Sequence, residues 1–300
     1  MISFDNKFKL KAEYLGIEKS PVEEITLVSH AHSDHIPSRY SKNKILCSQI
    51  TKKMIKWRRN ISSITSYKNS KIKMLDAGHI LGSKMFLIDN RILYTGDFNT
   101  KSLYVKNAKP IKCHTLIIEC TYGKPKYIFP SKESVIKELY DYIKENKKVI
   151  ITTLDSGFGK PQEICHALNA LNINFKLGEK IKKVNKIIGL KFKNESKDSD
   201  VIITDSYSAY DFDSSYKKVI LTGWAVSSMR GYEYDKAFPF SSHCDYPSLI
   251  EFVKACNPKK VYTIHGYEEE FAHDLRKIGF NAFPLSHLTG KTKEYQAVLF

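Results

Sequence analysis

The feature that most constrains this chain is a strand-like run, Glu24–Ser29 (EITLVS), that passes directly into His30-Ala31-His32-Ser33-Asp34-His35. Side chains two apart on a strand point the same way, so His30 and His32 can hold one metal ion together. The chain must then turn, which brings Asp34 and His35 round to a second ion nearby. Three imidazoles and a carboxylate within six residues are costly to bury unless they share cations. A chance polar turn is the competing reading, and the density of ligand types weighs against it.

Around this hexapeptide the first third alternates short apolar runs with polar turns. Lys44–Cys47, Lys71–Leu75, Lys84–Ile88, Arg91–Tyr94 and Thr115–Ile118 all read as strands, with Asp89-Asn90 a two-residue hairpin turn. The middle changes character. Ser131–Lys144 has helical apolar spacing, Val149–Leu154 is strand-like, and the glycine turn Gly157-Phe158-Gly159-Lys160 precedes a helix over Pro161–Leu171, with proline at a first helical position. Strands Val201–Thr204 and Val219–Thr222 follow, then helix Tyr246–Ala255, strand Lys260–Ile264 and helix Glu268–Lys277. The simplest organisation is an α/β middle segment inserted into a strand-rich host.

Charge adds a partner class. The chain has 300 residues and a formal charge of +16, and the excess concentrates in residues 1–122. Between Ile36 and Leu75 there is no acid, but Arg39, Lys42, Lys44, Lys52, Lys53, Lys56, Arg58, Arg59, Lys68, Lys71 and Lys73 occur, with Tyr40, Trp57 and Tyr67 among them. Such a stretch attracts a phosphate backbone and offers rings for base stacking. A solvated, lysine-rich surface explains the composition equally well, since only six of the 48 basic residues are arginine. Position favours the first reading, because the stretch lies between two histidine motifs. The most apolar runs are strand-length, far short of the roughly 20 residues a bilayer needs, and the N-terminus has no signal-like apolar core. Six cysteines without a C-x-x-C pair read as reduced thiols. A cytoplasmic protein with no membrane partner is expected.

HAHSDH resembles the H-x-H-x-D-H motif of the metallo-β-lactamase superfamily, whose fold is a four-layered αββα sandwich. Three further segments fit the resemblance in order: Ala77-Gly78-His79, Tyr94-Thr95-Gly96-Asp97 at a strand end, and Ile264-His265-Gly266 after another strand. The gap from Asp97 to His265 is too long for a small-molecule hydrolase of this fold. It holds Glu119 at a strand end before Cys120-Thr121-Tyr122-Gly123, and His243 before a helix in Ser241-Ser242-His243-Cys244-Asp245. These are similar to motifs A and B of the β-CASP group, the nucleic-acid-processing branch, with His265 as motif C. Within that group the chain looks most like ligase-associated DNA exonucleases and, less closely, the Artemis and crosslink-repair nucleases. The short insert, Gly159–Ile164 (GKPQEI) and Met229-Arg230-Gly231 carry that likeness. Two departures stand: the acid usually found before the histidine motif has only Asp5 and Glu13 as candidates, and motif C is histidine where the crosslink-repair nucleases typically have valine.

The resemblance implies an α/β (α+β) fold, an αββα sandwich with a short β-CASP domain inserted. The divisions are 1–122, 123–236 and 237–300, the outer two forming the sandwich. It implies two divalent ions, Zn²⁺ first with Mn²⁺ or Fe as alternatives, one taken by His30, His32, His79 and Asp97 and the other by Asp34, His35, Asp97 and His265. Asp34 would also accept a proton from the attacking water, and His243, oriented by Glu119, would protonate the leaving oxygen. Ser156, Gly157, Gly159 and Lys160 would hold a substrate phosphate at a helix start, with a ligand-free glycine turn the bland alternative. Lys52, Lys53, Arg58 and Arg59 would guide the polynucleotide. His114, His166, His273 and His287 match no motif and read as structural. The expected function is a two-metal nuclease, a DNA exonuclease of repair, with DNA favoured over RNA and association with other repair proteins open. The alternatives are an RNA-processing β-CASP nuclease and, more remotely, a small-molecule ester or thioester hydrolase. Oligomeric state is left open.

Overall fold

The computed structural model describes residues 3–5, 9–11, 15–17, 25–36, 44–61, 64, 70–155, 157–227 and 233–288. Glu13, Arg39, Lys42, Lys68, Ser156 and Met229-Arg230-Gly231 therefore lie outside the described residues, and of Asp5 only its place on a strand is given.

The first part contains β1 (Ser3–Asp5), β2 (Lys9–Lys11), β3 (Leu15–Ile17), β4 (Ile25–Leu27), β5 (Lys44–Leu46), α1 (Gln49–Arg59), β6 (Ile72–Asp76), β7 (Lys84–Ile88), β8 (Ile92–Tyr94) and β9 (Thr115–Cys120). The middle contains α2 (Lys132–Asn146), β10 (Val149–Thr153), α3 (Lys160–Ala170), β11 (Lys176–Leu177), α4 (Glu179–Ile188), β12 (Val201–Asp205), β13 (Lys217–Leu221) and β14 (Lys236–Phe238). The last part has α5 (Tyr246–Cys256), β15 (Lys260–Gly266), α6 (Glu268–Lys277) and β16 (Ala282–Pro284).

Two sheets make the sandwich. A six-stranded sheet runs in the order β16-β15-β9-β8-β7-β6, and a three-stranded sheet in the order β3-β4-β5. Leu27 and Leu46 from the small sheet meet Phe86, Ile88, Tyr94, Ile117 and Ile264 from the large one in a single buried cluster. On the far side of the large sheet, Leu116 and Ile118 of β9 pack with Leu249, Phe252 and Val253 of α5 and with Phe271 and Leu275 of α6. On the far side of the small sheet, Met54 and Ile55 of α1 cover Val28 and Ile45. The layers are thus helix, sheet, sheet, helix. Burial on this scale, at about 25 cal/mol per Å² of apolar surface, is the main force holding the layers together.

Local chemistry fixes the ends. The β7–β8 hairpin turns on Asp89 and Asn90, both at positive φ (50° and 52°), as that dipeptide predicted. Ser48 caps α1 by accepting from Thr51 N at 3.1 Å, and Asn60 closes it in the left-handed conformation. Glu268, Glu269 and Glu270 fill the first turn of α6, where the helix dipole favours acids.

The middle segment forms its own parallel sheet, β11-β12-β10-β13-β14, with α2 and α3 over one face and Ala209, Phe212 and Tyr216 over the other. β14 pairs with β13 in this sheet, so the inserted sheet runs two residues past the boundary drawn at 236. Among the described residues no helix is long and apolar enough to cross a membrane.

Candidate metal and catalytic centre

Parallel pairing gathers the motifs at one edge. β4 runs parallel to β3 and β5, β8 to β9, and β9 to β15, so the residues that follow these strands emerge on one side of the sandwich. His30 follows β4, Asp97 follows β8, and Glu119 and His265 lie at the ends of β9 and β15. β6, antiparallel to β7, points the same way, and His79 follows it; β14 leads into His243. Ligand sites outside the carboxyl ends of strands are the general rule for such sheets.

Two backbone devices aim the side chains. Gly78 has φ 72°, and a Cβ there would stand 2.0 Å from the Asn99 carbonyl oxygen, so only glycine lets the histidine loop close. The β9–β15 register shifts between Ile264 and Gly266, and His265 sits in the left-handed region at φ 59°. A non-glycine residue held there stores local strain that the surrounding packing must oppose.

The first group converges on Asp97. Ligand atoms of His30, His32, His79 and Asp97 lie within 4.8 Å of one another. His30 Nε2 is 3.4 Å from Asp97 Oδ2, is buried, and has no hydrogen-bond partner among the described residues. His32 Nε2 lies 2.8 Å from the Phe158 carbonyl oxygen, and His79 Nδ1 lies 2.9 Å from the Ser242 carbonyl oxygen. A carbonyl only accepts, so those two nitrogens carry the protons. The remaining nitrogens, His32 Nδ1 and His79 Nε2, then present lone pairs to each other at 3.1 Å. Two facing lone pairs with a carboxylate beside them fit a cation between them, and nitrogen and oxygen donors without sulfur suit a borderline divalent ion. Burial, reinforced for His30 by His35 and for His79 by His243, holds both imidazoles well below the ordinary histidine pKa, and burial lowers His32 too. Neutral imidazoles are the ligand form. For Asp97 burial works the other way, but His35, His243 and His30 around it keep the carboxyl well below the usual range.

On the other side of Asp97, His35 Nε2 is 3.3 Å from Asp97 Oδ2 and 3.4 Å from Asp34 Oδ2, and the His35 and His265 rings are 5.0 Å apart. At the exposed rim, partial desolvation would raise Asp34, yet the His35 contact outweighs it and depresses the carboxyl.

His243 faces the cluster from the end of β14. Its Nδ1 donates to Glu119 Oε1 at 2.9 Å, and its Nε2 stands 4.0 Å from Asp97 Oδ2. Burial would lower its pKa, but the Glu119 and Asp97 carboxylates raise it above the ordinary value. Glu119 also falls close enough to Asp97 and His243 to complete a second potential ligand trio. Its oxygens are already taken, however: Oε1 accepts from Phe98 N and His243, and Oε2 from Thr121 N and Thr121 Oγ1. Glu119 is therefore built to orient an imidazole rather than to bind an ion.

Two groups expected at the substrate are occupied otherwise. In the glycine turn, Gly159 N donates to Gln162 Oε1 at 2.7 Å and Lys160 N to Asp155 Oδ2 at 2.5 Å. Lys160 Nζ also lies 3.5 Å from Asp155. The Asp155 carboxylate thus takes the Lys160 amide and ammonium that were expected to meet a phosphate. Arg58 Nη1 donates to Ser33 Oγ at 2.9 Å, and Arg59 Nη2 to the Ile36 carbonyl at 3.0 Å. These arginines brace the HAHSDH loop from α1, while Lys53 is exposed and Lys52 half-buried on the same helix. His114 and His287 bond to Thr115 and Glu269, and His166 lies against Tyr104, outside the cluster.

Asn99 was not singled out in the sequence. Its Nδ2 donates at 3.2 Å to the carbonyls of both Ser241 and His243, fixing the loop that carries His243. No one-dimensional spacing reveals it, since its partners lie more than 140 residues away.

An αββα sandwich, an inserted α/β sheet, and histidine and aspartate motifs in that order match the pattern of the β-CASP group of the metallo-β-lactamase superfamily. Comparison with known proteins agrees. Residues 236–283 match the Zn-dependent metallo-hydrolase RNA specificity domain. The chain is 29% identical to a "Probable DNA ligase" of Opitutus terrae over 87% of its own length, but spans only 28% of that protein. It is 26% identical to an "RNase J-like protein" of Methanocaldococcus jannaschii, covering 81% of both chains. It is 23% identical to the "DNA cross-link repair protein SNM1" of Arabidopsis thaliana, covering 78% of this chain and 59% of that one. A crystal structure of a protein of unknown function from Enterococcus faecalis V583 has the same fold, with TM-score 0.57 and 13% identity over 87% of this chain and 82% of that one.

Proposed function

We propose that the chain is a metal-dependent phosphodiesterase that hydrolyses nucleic acid, with DNA the favoured substrate. The facing lone pairs of His32 and His79 beside Asp97 carry this reading, because that arrangement calls for a cation and lies opposite a carboxylate-oriented His243. His30, His32, His79 and Asp97 would hold one divalent ion, and Asp34, His35, Asp97 and His265 a second, zinc suiting the donors best. Such ions, when bound, neutralise charge on a scissile phosphate and acidify water.

The chain's own groups do the rest. Asp34, exposed at the rim and held ionised by His35, accepts the proton of the attacking water. His243 holds its Nε2 proton toward the centre because Nδ1 is committed to Glu119, and delivers it to the leaving oxygen. The inserted unit, 123–236 with β14 completing its sheet, would bound the site on the side where Phe158 meets His32. Lys52 and Lys53 on α1 attract the phosphate backbone.

DNA is favoured by the relatives named for DNA repair and ligation. RNA is the second reading, favoured by the domain match over 236–283 and by the RNase J-like relative that aligns over most of both chains. End-labelled single- and double-stranded DNA and RNA, with and without a 5′-phosphate and with several divalent metals, separate the two. The expected result is metal-dependent shortening of DNA from one end. Preferred cutting of RNA would favour the second reading, and no cleavage of any polymer with any metal would overturn both.

A further inference from the structure

The inserted unit meets the metal cluster through the Phe158 carbonyl oxygen, which accepts from His32 Nε2 at 2.8 Å. That contact decides which His32 nitrogen is left for an ion. We propose that the inserted unit is in this way part of the metal centre, and that Gln162 is the positioning residue that holds the Phe158 carbonyl in place. The proposal rests on the metal-dependent reading above.

The turn that presents Phe158 has little rigidity of its own. Gly157 and Gly159 flank it at φ 83° and 132°, conformations that favour glycine and leave the unrestrained chain many alternatives. Gln162, one turn into the helix and buried, bridges both sides of it. Its Oε1 accepts from Gly159 N at 2.7 Å, and its Nε2 donates to the Gly157 carbonyl at 3.1 Å and to Asn185 Oδ1 of α4 at 3.0 Å. Asp155 closes the other end, its carbonyl accepting from Phe158 N at 3.1 Å and its carboxylate from Lys160 N. The Phe158 ring lies in one buried cluster with Val28, Ala31 and Ile80, which adjoin the histidine motifs in sequence. The carbonyl is therefore fixed by packing on one side and by Gln162 on the other. Partners that orient a ligating histidine typically change metal affinity about 10–100-fold when removed. This also gives the GKPQEI segment a role that phosphate binding does not.

The test is metal affinity, read by competition with a chromophoric chelator, with thermal melting of the metal-free protein as the folding control. Gln162→Met, which keeps the length of the side chain and removes the three hydrogen bonds, should fold and bind zinc about 10–100-fold more weakly. Asn185→Ala removes one of the three bonds without releasing the turn, and should bind zinc as the wild type does. Folded Gln162→Met with unchanged affinity would overturn the proposal, as would equal losses in both variants. A second measurement reads the wild type itself: ¹⁵N–¹H spectra of histidine-labelled protein, with His32→Gln used only to assign the His32 signal. His32 should carry a slowly exchanging Nε2 proton with and without zinc, and a proton on Nδ1 would refute the assignment. Wild-type protein that bound no divalent ion would instead remove the function proposed above, so the two failures are distinguishable.

Discussion

His32 Nδ1 and His79 Nε2 face each other at 3.1 Å, each with its ring's other nitrogen donating to a backbone carbonyl. Without a cation this pairing sets two lone pairs against one another inside a buried cluster. Divalent metal should therefore raise the melting temperature and a chelator lower it. At a free metal concentration of 100 Kd the gain is about 2.7 kcal/mol. Scanning calorimetry of chelated and zinc-loaded protein reads this directly, and coincident transitions would count against a shared ion at these nitrogens.

Chemistry and binding should separate at His243. His243→Ala should keep metal and substrate affinity and lose roughly 10²–10⁴-fold in kcat. Glu119→Gln tests the electrostatics through pH. Glu119 raises the His243 pKa, so removing its charge lowers that pKa, and protonated His243 is lost at lower pH. The alkaline limb of the kcat profile should move down in pH; an unmoved limb would show that His243 is not the group titrating there.

Acid stability should depend on Asp155. Burial would raise its carboxyl, but Lys160, His32 and Thr153 hold it below the usual value, so the folded protein favours the charged form. That contribution is present above the unfolded carboxyl's pKa, about 3.9, and is lost as pH falls through the lower folded value. Asp155→Asn should cost about 1–3 kcal/mol near neutral pH and flatten the acid limb. Urea unfolding from pH 7 down to pH 3 checks it; parallel curves for the two proteins would remove the carboxylate's role.

Substrate guidance is tested on α1 with the arginines left alone, because Arg58 and Arg59 brace the HAHSDH loop. Lys52→Glu with Lys53→Glu should weaken binding to long polynucleotides similarly across sequences and flatten its salt dependence. Hydrolysis of a small chromogenic phosphodiester should be unchanged. If binding and salt slope both stayed as in the wild type, the path of the polymer would run elsewhere.

The sandwich strands were legible because β4, β7, β8, β9 and β15 are short apolar runs with turn residues behind them, and the helices α2, α3, α5 and α6 because their apolar spacing and caps agree. Helix α1 was not, since seven of its eleven residues are polar or charged and its buried face rests on Thr51, Met54 and Ile55 alone. The same basic residues that drew attention as a patch concealed the helix. α4 was hidden in the same way, its lysines outnumbering Ile181, Val184 and Ile188. β11, β14 and β16 are two or three residues long and exist through pairing with longer neighbours, which local pattern does not carry.

In the site, HAHSDH, His79, Asp97, His243 and His265 stood out because each lies at a strand end or in a glycine loop. The sequence left two readings of the glycine turn at 157–159, because a strand–glycine–helix junction looks the same whether its amides await a phosphate or, as at Gly159 and Lys160 here, bind Gln162 and Asp155. Asn99 and the Phe158 carbonyl were invisible for a plainer reason. One acts across more than 140 residues and the other is a backbone atom with no side-chain signature.

The central claim is that cleavage depends on ions gathered around Asp97, which lies within 3.4 Å of both His30 and His35. Elemental analysis and cleavage of an end-labelled DNA strand should be run together on wild type and Asp97→Ala. The account predicts about two divalent ions per chain in the wild type, loss of most of both in the variant, and loss of cleavage with them. A folded Asp97→Ala protein that kept its full metal content, or that cut DNA at the wild-type rate, would contradict it.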